Sequence, residues 1–176
     1  MLILAISGSL RRQSSNTAAL QAAIRLAPPT MRIEMYGALG DLPFFNPDLD
    51  NEDAPPAVEA FRRRIGAADG LLICSPEYAR GVAGVLKNAL DWLVSSLEFP
   101  DKPVAIINAS QRATHADAAL RLTLETMSAR LAGNASCVLP LQGRNLDAEG
   151  IIADAALAAI VRAALGELAE LVSCVR

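Results

Sequence analysis

Five short runs of the chain are mostly apolar: LILAI at residues 2–6, RIEMY at 32–36, GLLIC at 70–74, VAIIN at 104–108 and ASCVL at 135–139. Several lack the strict alternation of a strand with one wet face, so they read as strands covered on both sides. Between them apolar residues recur every three or four positions. Leu86, Leu90, Leu93 and Leu97 mark one stripe, Leu120, Leu124, Met127 and Leu131 a second, and Leu157, Ile160, Val161, Leu165, Leu168 and Val172 a third. Each stripe predicts a helix with one buried face. Ser14 or Ser15 is placed to cap the first helix and Asp154 the last, because a short side-chain oxygen accepts orphan backbone N–H groups there. Residues 37–56, with LPFFNPDLDNEDAPP, predict a surface loop leading into a helix around Phe61. Strand alternating with helix gives an α/β, three-layer, doubly wound fold with a five-stranded parallel sheet in the order 2-1-3-4-5.

Composition narrows the picture. At 176 residues and 52% hydrophobic, the chain reads as one domain over residues 1–176. A net charge of −3 gives no broad basic field, which argues against nucleic acid and anionic membrane as partners. The strand pattern begins next to Met1, and no run reaches the roughly 20 apolar residues of a membrane span, so the expected location is the cytoplasm. Cys74, Cys137 and Cys174 fit neither a disulfide framework nor paired zinc ligands and are expected to be buried thiols. The acids Asp41, Asp48, Asp50, Glu52 and Asp53 read as a solvated loop, and no metal-binding spacing occurs.

In an open parallel sheet, ligands bind beyond the carboxyl ends of the strands where strand order reverses. The loops that follow Ile6 and Cys74 meet that condition. The first, ISGSLRRQSSNTAAL, has neither the GxGxxG of a dinucleotide site nor the GxxxxGK of a triphosphate loop. Gly8 permits a tight turn; Ser9, Ser14, Ser15 and Asn16 offer donors; Arg11 or Arg12 supplies charge beside a helix N-terminus. That set suits a terminal phosphate monoester, and a capped helix with solvated arginines is the plainer reading. In the second loop, SPEYARGVAGVLKNALDWL, Pro76 stiffens the turn and Tyr78 offers a face to a flat ligand. Backbone groups of residues 77–80 are available to a polar edge, and Gly81 and Gly84 allow close approach.

GSLRxxSxN after the first strand, paired with SPEYxxxxxGxLKNAxDW after the third, resembles the NADPH-dependent FMN reductase family, flavodoxin-like proteins that include flavin, quinone, azo-dye and chromate reductases. The resemblance covers nearly the whole chain. It implies that Ser9, Arg11, Ser14 and Asn16, with Ser15, hold the phosphate of FMN, and that Pro76, Glu77 and Tyr78 border its ring. Ala79 stands where the family usually has Asn, and Ala83 where it usually has Pro. The third loop, NASQRATHADAAL, departs further: residues 111–115 replace a glycine-rich turn, leaving Ser110 as a ring contact and Arg112 as a candidate for the donor's phosphates.

The only histidine, His115, has no nucleophile and orienter beside it in the pattern and is assigned a helix N-terminal or surface role. A flavin enzyme needs no such assembly, because the cofactor carries the chemistry. The expected reaction is hydride transfer from NADPH or NADH to FMN, then electron transfer to a small acceptor: a quinone, azo compound, chromate or free flavin. With donor and acceptor using one ring face in turn, ping-pong kinetics are expected. The rival readings are a flavodoxin-like electron carrier and a flavin-free binding module. A second apolar side on the third helix, through Val85, Ala89 and Trp92, together with the resemblance, implies a homodimer or homotetramer.

Overall fold

The computed structural model describes residues 1–133 and 137–175. Its elements run β1 (Leu2–Ser7), α1 (Ser15–Leu26), β2 (Arg32–Tyr36), α2 (Pro56–Ala67), β3 (Gly70–Cys74), β4 (Glu77–Tyr78), β5 (Gly81–Val82), α3 (Gly84–Asp91), β6 (Pro103–Asn108), α4 (Thr114–Thr126), β7 (Arg130–Leu131), β8 (Cys137–Val138), α5 (Ala148–Ala153) and α6 (Ala155–Val175). The main sheet is parallel in the order β2-β1-β3-β6, with β7 and β8 both pairing the outer side of β6. The expected order holds, but two short pieces share the fifth position. Between the pairs Val104–Leu131 and Ile107–Cys137, β6 advances three residues and the outer chain six. Of the run read as a strand at 135–139, Cys137 and Val138 pair; Ala135 and Ser136 lie outside the described residues.

Side chains alternate across the sheet. Ile3, Ala5, Leu72, Cys74, Ala105 and Ile107 face α1 and α6, where they meet Leu20, Leu157, Val161, Leu165 and Leu168. Leu4, Ile6, Leu71, Ile73, Val104 and Ile106 face the opposite layer of Phe61, Leu86, Trp92 and Leu124. Both faces being covered explains why β3 and β6 are buried along their whole length and read as continuous apolar runs.

Two helices end earlier than their leucine stripes imply. α3 stops at Asp91, where Arg62 of α2 donates from Nε and Nη2 to Trp92 O at 3.0 and 2.6 Å, placing a cation at the helix C-terminus. Leu93 stays buried, but Leu97 is 93% exposed. α4 stops at Thr126 because Ser128 adopts φ 64°, with Ser128 N bonded to Glu125 O and Ala129 N to Leu124 O, a Schellman closure without glycine. Leu131 therefore belongs to β7. The second apolar side of α3 is also accounted for within the chain: Ala89 and Trp92 are fully buried, and Trp92 sets its ring edge-on to Phe45 at 5.0 Å. Among the described residues no helix is long and apolar enough to cross a membrane.

Candidate active site

β1, β3 and β6 end side by side, so the loops after Ser7, Cys74 and Asn108 converge at one edge of the sheet. Gly8 N donates to Cys74 O at 2.8 Å, and a Cβ on Gly8 would lie 2.5 Å from Ser75 Oγ and 2.9 Å from its Cβ. The glycine is required by this close approach between loops, and its φ is not positive. Ser7 organises the first loop from below: Ser9 N donates to its Oγ, which also lies 2.9 Å from Thr17 Oγ1 of α1. Neither Ser7 nor Thr17 was expected in the site; a hydroxyl ending an apolar strand was the available signal.

Ser14, and not Ser15, is the N-cap of α1, its Oγ accepting from Thr17 N at 3.4 Å. Ser9, Ser14 and Asn16 are nearly buried, Ser9 Oγ accepting from Arg11 N. The α1 N-terminus opens onto a depression of about 370 Å³ that Arg11, Arg12, Ser14 and Ser15 line. No acid occupies the first turn of α1. Asp147, on the far wall, is engaged as the N-cap of α5.

Beside it lies a cleft of about 410 Å³, lined by Ser15, Asn16, Pro76, Glu77, Ser110 and Arg112 with the loop at Leu141, Gln142 and Gly143. Gln142 accepts from Ser110 Oγ at 3.3 Å. This fourth wall was missed, although Gly143 at φ 75° in LQGRN follows the last strand as a binding loop would. Buried Asn108 shapes the third loop, donating to Ala113 O and accepting from Ser110 N. Ser110 Oγ in turn accepts from Arg112 N.

Glu77 lines the cleft, and its carboxylate accepts from Ala116 N at 2.9 Å, in the first turn of α4, which has no side-chain cap of its own. Other expected residues are placed differently. Tyr78 is half exposed and faces a separate hollow with Gly8, Leu10, Arg11 and Gly84. Ala79 and Arg80 form the tip of the β4–β5 hairpin at φ 50° and 60°. Gly84 meets no protein atom within 4 Å of where a Cβ would stand, so the close approach expected there is not made within the chain. His115 is exposed in the first turn of α4. Of the three cysteines only Cys74 is fully buried, and its burial pushes the thiol far up; Cys137 is partly buried and pushed up to about 11; Cys174 is exposed at the end of α6. Nor is the acidic loop wholly solvated: Asp50 is partly buried, with Arg62 Nη2 at 2.7 Å and Ser95 Oγ at 2.6 Å. No group of three or more His, Cys, Asp or Glu suited to a metal occurs among the described residues.

A helix N-terminus with no acid in its first turn, beside hydroxyls, arginine and a cleft at the switch point of a parallel sheet, is the candidate anion site of an α/β protein with a flavodoxin-like sheet order. The family model for NADPH-dependent FMN reductases matches residues 1–142, and the chain belongs to that family. It is 53% identical over 110 residues, 61% of this chain, to an NAD(P)H-dependent FMN reductase of Pseudomonas aeruginosa. It is 47% identical over 111 residues, 60% of this chain, to an NADPH:quinone oxidoreductase of Arabidopsis thaliana. These alignments span 59% and 56% of the two relatives' own lengths. Among solved structures, the flavoenzyme NAD(P)H:(acceptor) oxidoreductase of Paracoccus denitrificans superposes with a TM-score of 0.74 at 26% identity, covering 96% of this chain and 97% of that one.

Proposed function

We propose that the chain acts as an NAD(P)H-dependent reductase with FMN as its cofactor and a quinone-type compound as its acceptor. The observation that carries this reading is the contrast between two helix N-termini at the same sheet edge. That of α4 is already met by the Glu77 carboxylate and has Asp117 in its first turn, whereas that of α1 has donors and no acid in its first turn, Asp147 in the same depression being engaged as the cap of α5. A dianionic phosphate monoester favours the second by electrostatics alone. The donor set therefore fits the FMN phosphate: Arg11 supplies charge and Ser14 and Ser15 hydroxyls from the depression, Ser9 would act from its bond with Arg11 N, and Asn16 would reach in with an amide from the adjoining cleft. Pro76, Glu77 and Ser110, which line the adjoining cleft, would border the ring, with Tyr78 reaching it from the neighbouring hollow and Ala79, at the hairpin tip, as a further contact. A cleft of about 410 Å³ is of the size that holds a small ligand.

When bound, FMN supplies two-electron redox chemistry, with NADPH or NADH as donor and a quinone, azo compound, chromate or free flavin as acceptor. The protein's part is to bind and orient, and His115, exposed in the first turn of α4, is given no role in it. Arg112, on the cleft wall, is assigned to the donor's phosphates. Donor and acceptor would share the cleft in turn, so parallel initial-rate lines are expected. The cytoplasm and a homodimer or homotetramer complete the reading. Leu10 and Phe44, 65% and 90% exposed, now favour assembly in place of the buried Ala89 and Trp92 face.

The test is an FMN titration by fluorescence quenching with Ser9→Ala, Arg11→Ala and the double variant, alongside NADPH consumption with benzoquinone. The double variant is expected to weaken FMN binding by more than about tenfold, the worth of a charge-assisted contact. Unchanged affinity would remove the phosphate assignment. FMN binding with no NADPH consumption would identify an electron carrier, and intersecting rate lines would end the shared-cleft scheme.

A further inference from the structure

Cys74 ends β3, and nothing in the reading above gives its thiol a task. It is fully buried and donates to Asn16 Oδ1 at 3.2 Å. Asn16 sits in the first turn of α1 and lines the cleft between the first and third loops. A primary amide has an acceptor end and a donor end of nearly the same shape, so its orientation must be fixed by a neighbour. Here the neighbour beneath it is an S–H. A thiol proton engages the oxygen, which leaves the Nδ2 hydrogens as the end available to the cleft.

The surroundings keep that proton in place. Cys74 stands in register with Ile107 and Cys137 across three adjacent strands, on the face covered by α1 and α6. Apolar burial there disfavours a thiolate, which would repel Oδ1 and turn the amide round. A valine at the same strand position would suit the core equally well but would leave the nearly buried Oδ1 without its donor.

We propose that Cys74 is a positioning residue: its thiol holds the side-chain amide of Asn16 so that the NH2 group faces an anion at the first loop. This rests on the phosphate reading of that loop. The effect is on ligand affinity and not on the fold, and it distinguishes Cys74 from a core residue of the same size.

The experiment compares Cys74→Ser, which keeps a donor, with Cys74→Val and Cys74→Ala, which lose it while respectively filling and emptying the site. Three quantities are read: the FMN dissociation constant by fluorescence quenching, the melting temperature without FMN, and the Asn16 side-chain NH2 resonances, assigned by their loss in Asn16→Asp. The Val and Ala variants are expected to bind FMN about three- to tenfold more weakly than the parent and the Ser variant, whatever the order of melting temperatures. The chemical shifts of the Asn16 NH2 pair are expected to stay close to the parent's in the Ser variant and to move in the other two, where Oδ1 has lost its donor. Equal FMN affinity in the Ser, Val and Ala variants, or an Asn16 NH2 pair indifferent to residue 74, would overturn the proposal. A parent protein that fails to bind FMN would instead overturn the phosphate reading, and the NH2 resonances would still decide what the thiol does.

Discussion

At the scale of single residues, the unusual positions are non-glycine residues with left-handed backbones. Ala79 and Arg80 sit at φ 50° and 60° in the two-residue turn joining β4 to β5. Two consecutive positive φ values are the geometry of a type I′ hairpin, which favours Asn followed by Gly. The departure at Ala79 is therefore a matter of backbone before it is a matter of ligand contact. Replacing Arg80 with Gly should relieve about 1 kcal/mol, and adding Ala79→Asn should contribute a further fraction of that. For a chain of this size the pair should raise the melting temperature by about 2–4 °C in a thermal scan, and no change would show that the turn is not strained. The same chemistry explains what was hard to see in the sequence. Without Asn-Gly the hairpin was invisible, and without glycine at 128 the second leucine stripe seemed to run through the end of α4. Ser14 was legible as the cap of α1, because a short side-chain oxygen ahead of a helix accepts its orphan N–H groups.

At the scale of elements, side chains from one loop hold the ends of another. The Glu77 carboxylate supplies the cap that Ala113 does not, and so ties the hairpin after β3 to the start of α4. Glu77→Ala should cost about 1 kcal/mol and Glu77→Gln less, since glutamine keeps an acceptor but loses the charge. Chemical denaturation measures the cost; faster hydrogen exchange at the Ala116 amide locates it. If that amide exchanged no faster in the Ala variant, the cap would not be the residue's contribution. The LKNAxDW motif has a similar meaning. Asn88 accepts from Phe45 N and donates to Pro43 O, and Trp92 Nε1 donates to the same carbonyl at 2.8 Å. One turn apart on α3, the two residues clamp the LPFF segment. Trp92 had been assigned to an outward face because the pattern of α3 shows which side is apolar, but not that a loop from upstream covers the second side.

At the scale of the whole molecule, strand order was legible because parallel strands buried on both faces leave continuous apolar runs, while the sheet's last position was not, since two-residue pairings carry no period. The long loop before α2 was also read only in outline. It is fastened by Asp50, which bonds Ser95 Oγ and Arg62 Nη2 while Arg62 holds the end of α3. The bond from Ser95, then the Arg62 guanidinium, hold the Asp50 carboxyl below its ordinary 3.8 against the opposing effect of burial. A lowered acid contributes stability that is present above its unfolded value and is lost as pH falls through the folded one. That contribution should therefore be complete above about pH 5 and fade below about pH 4. Melting temperatures of the parent and Asp50→Asn should differ at pH 7 and converge in acid; curves that stay parallel would place the acid sensitivity elsewhere. The divided fifth strand has another effect. A β-sheet recruits further chains through long, flat outermost strands whose free amides and carbonyls lie in one row. Here one border consists of β7 and β8, each pairing only two residues, and the other, β2, carries Arg32 and Glu34 joined by a salt bridge. Among the described residues the β7–β8 border offers a foreign strand no continuous template, and the charges on β2 oppose apolar pairing along the other border.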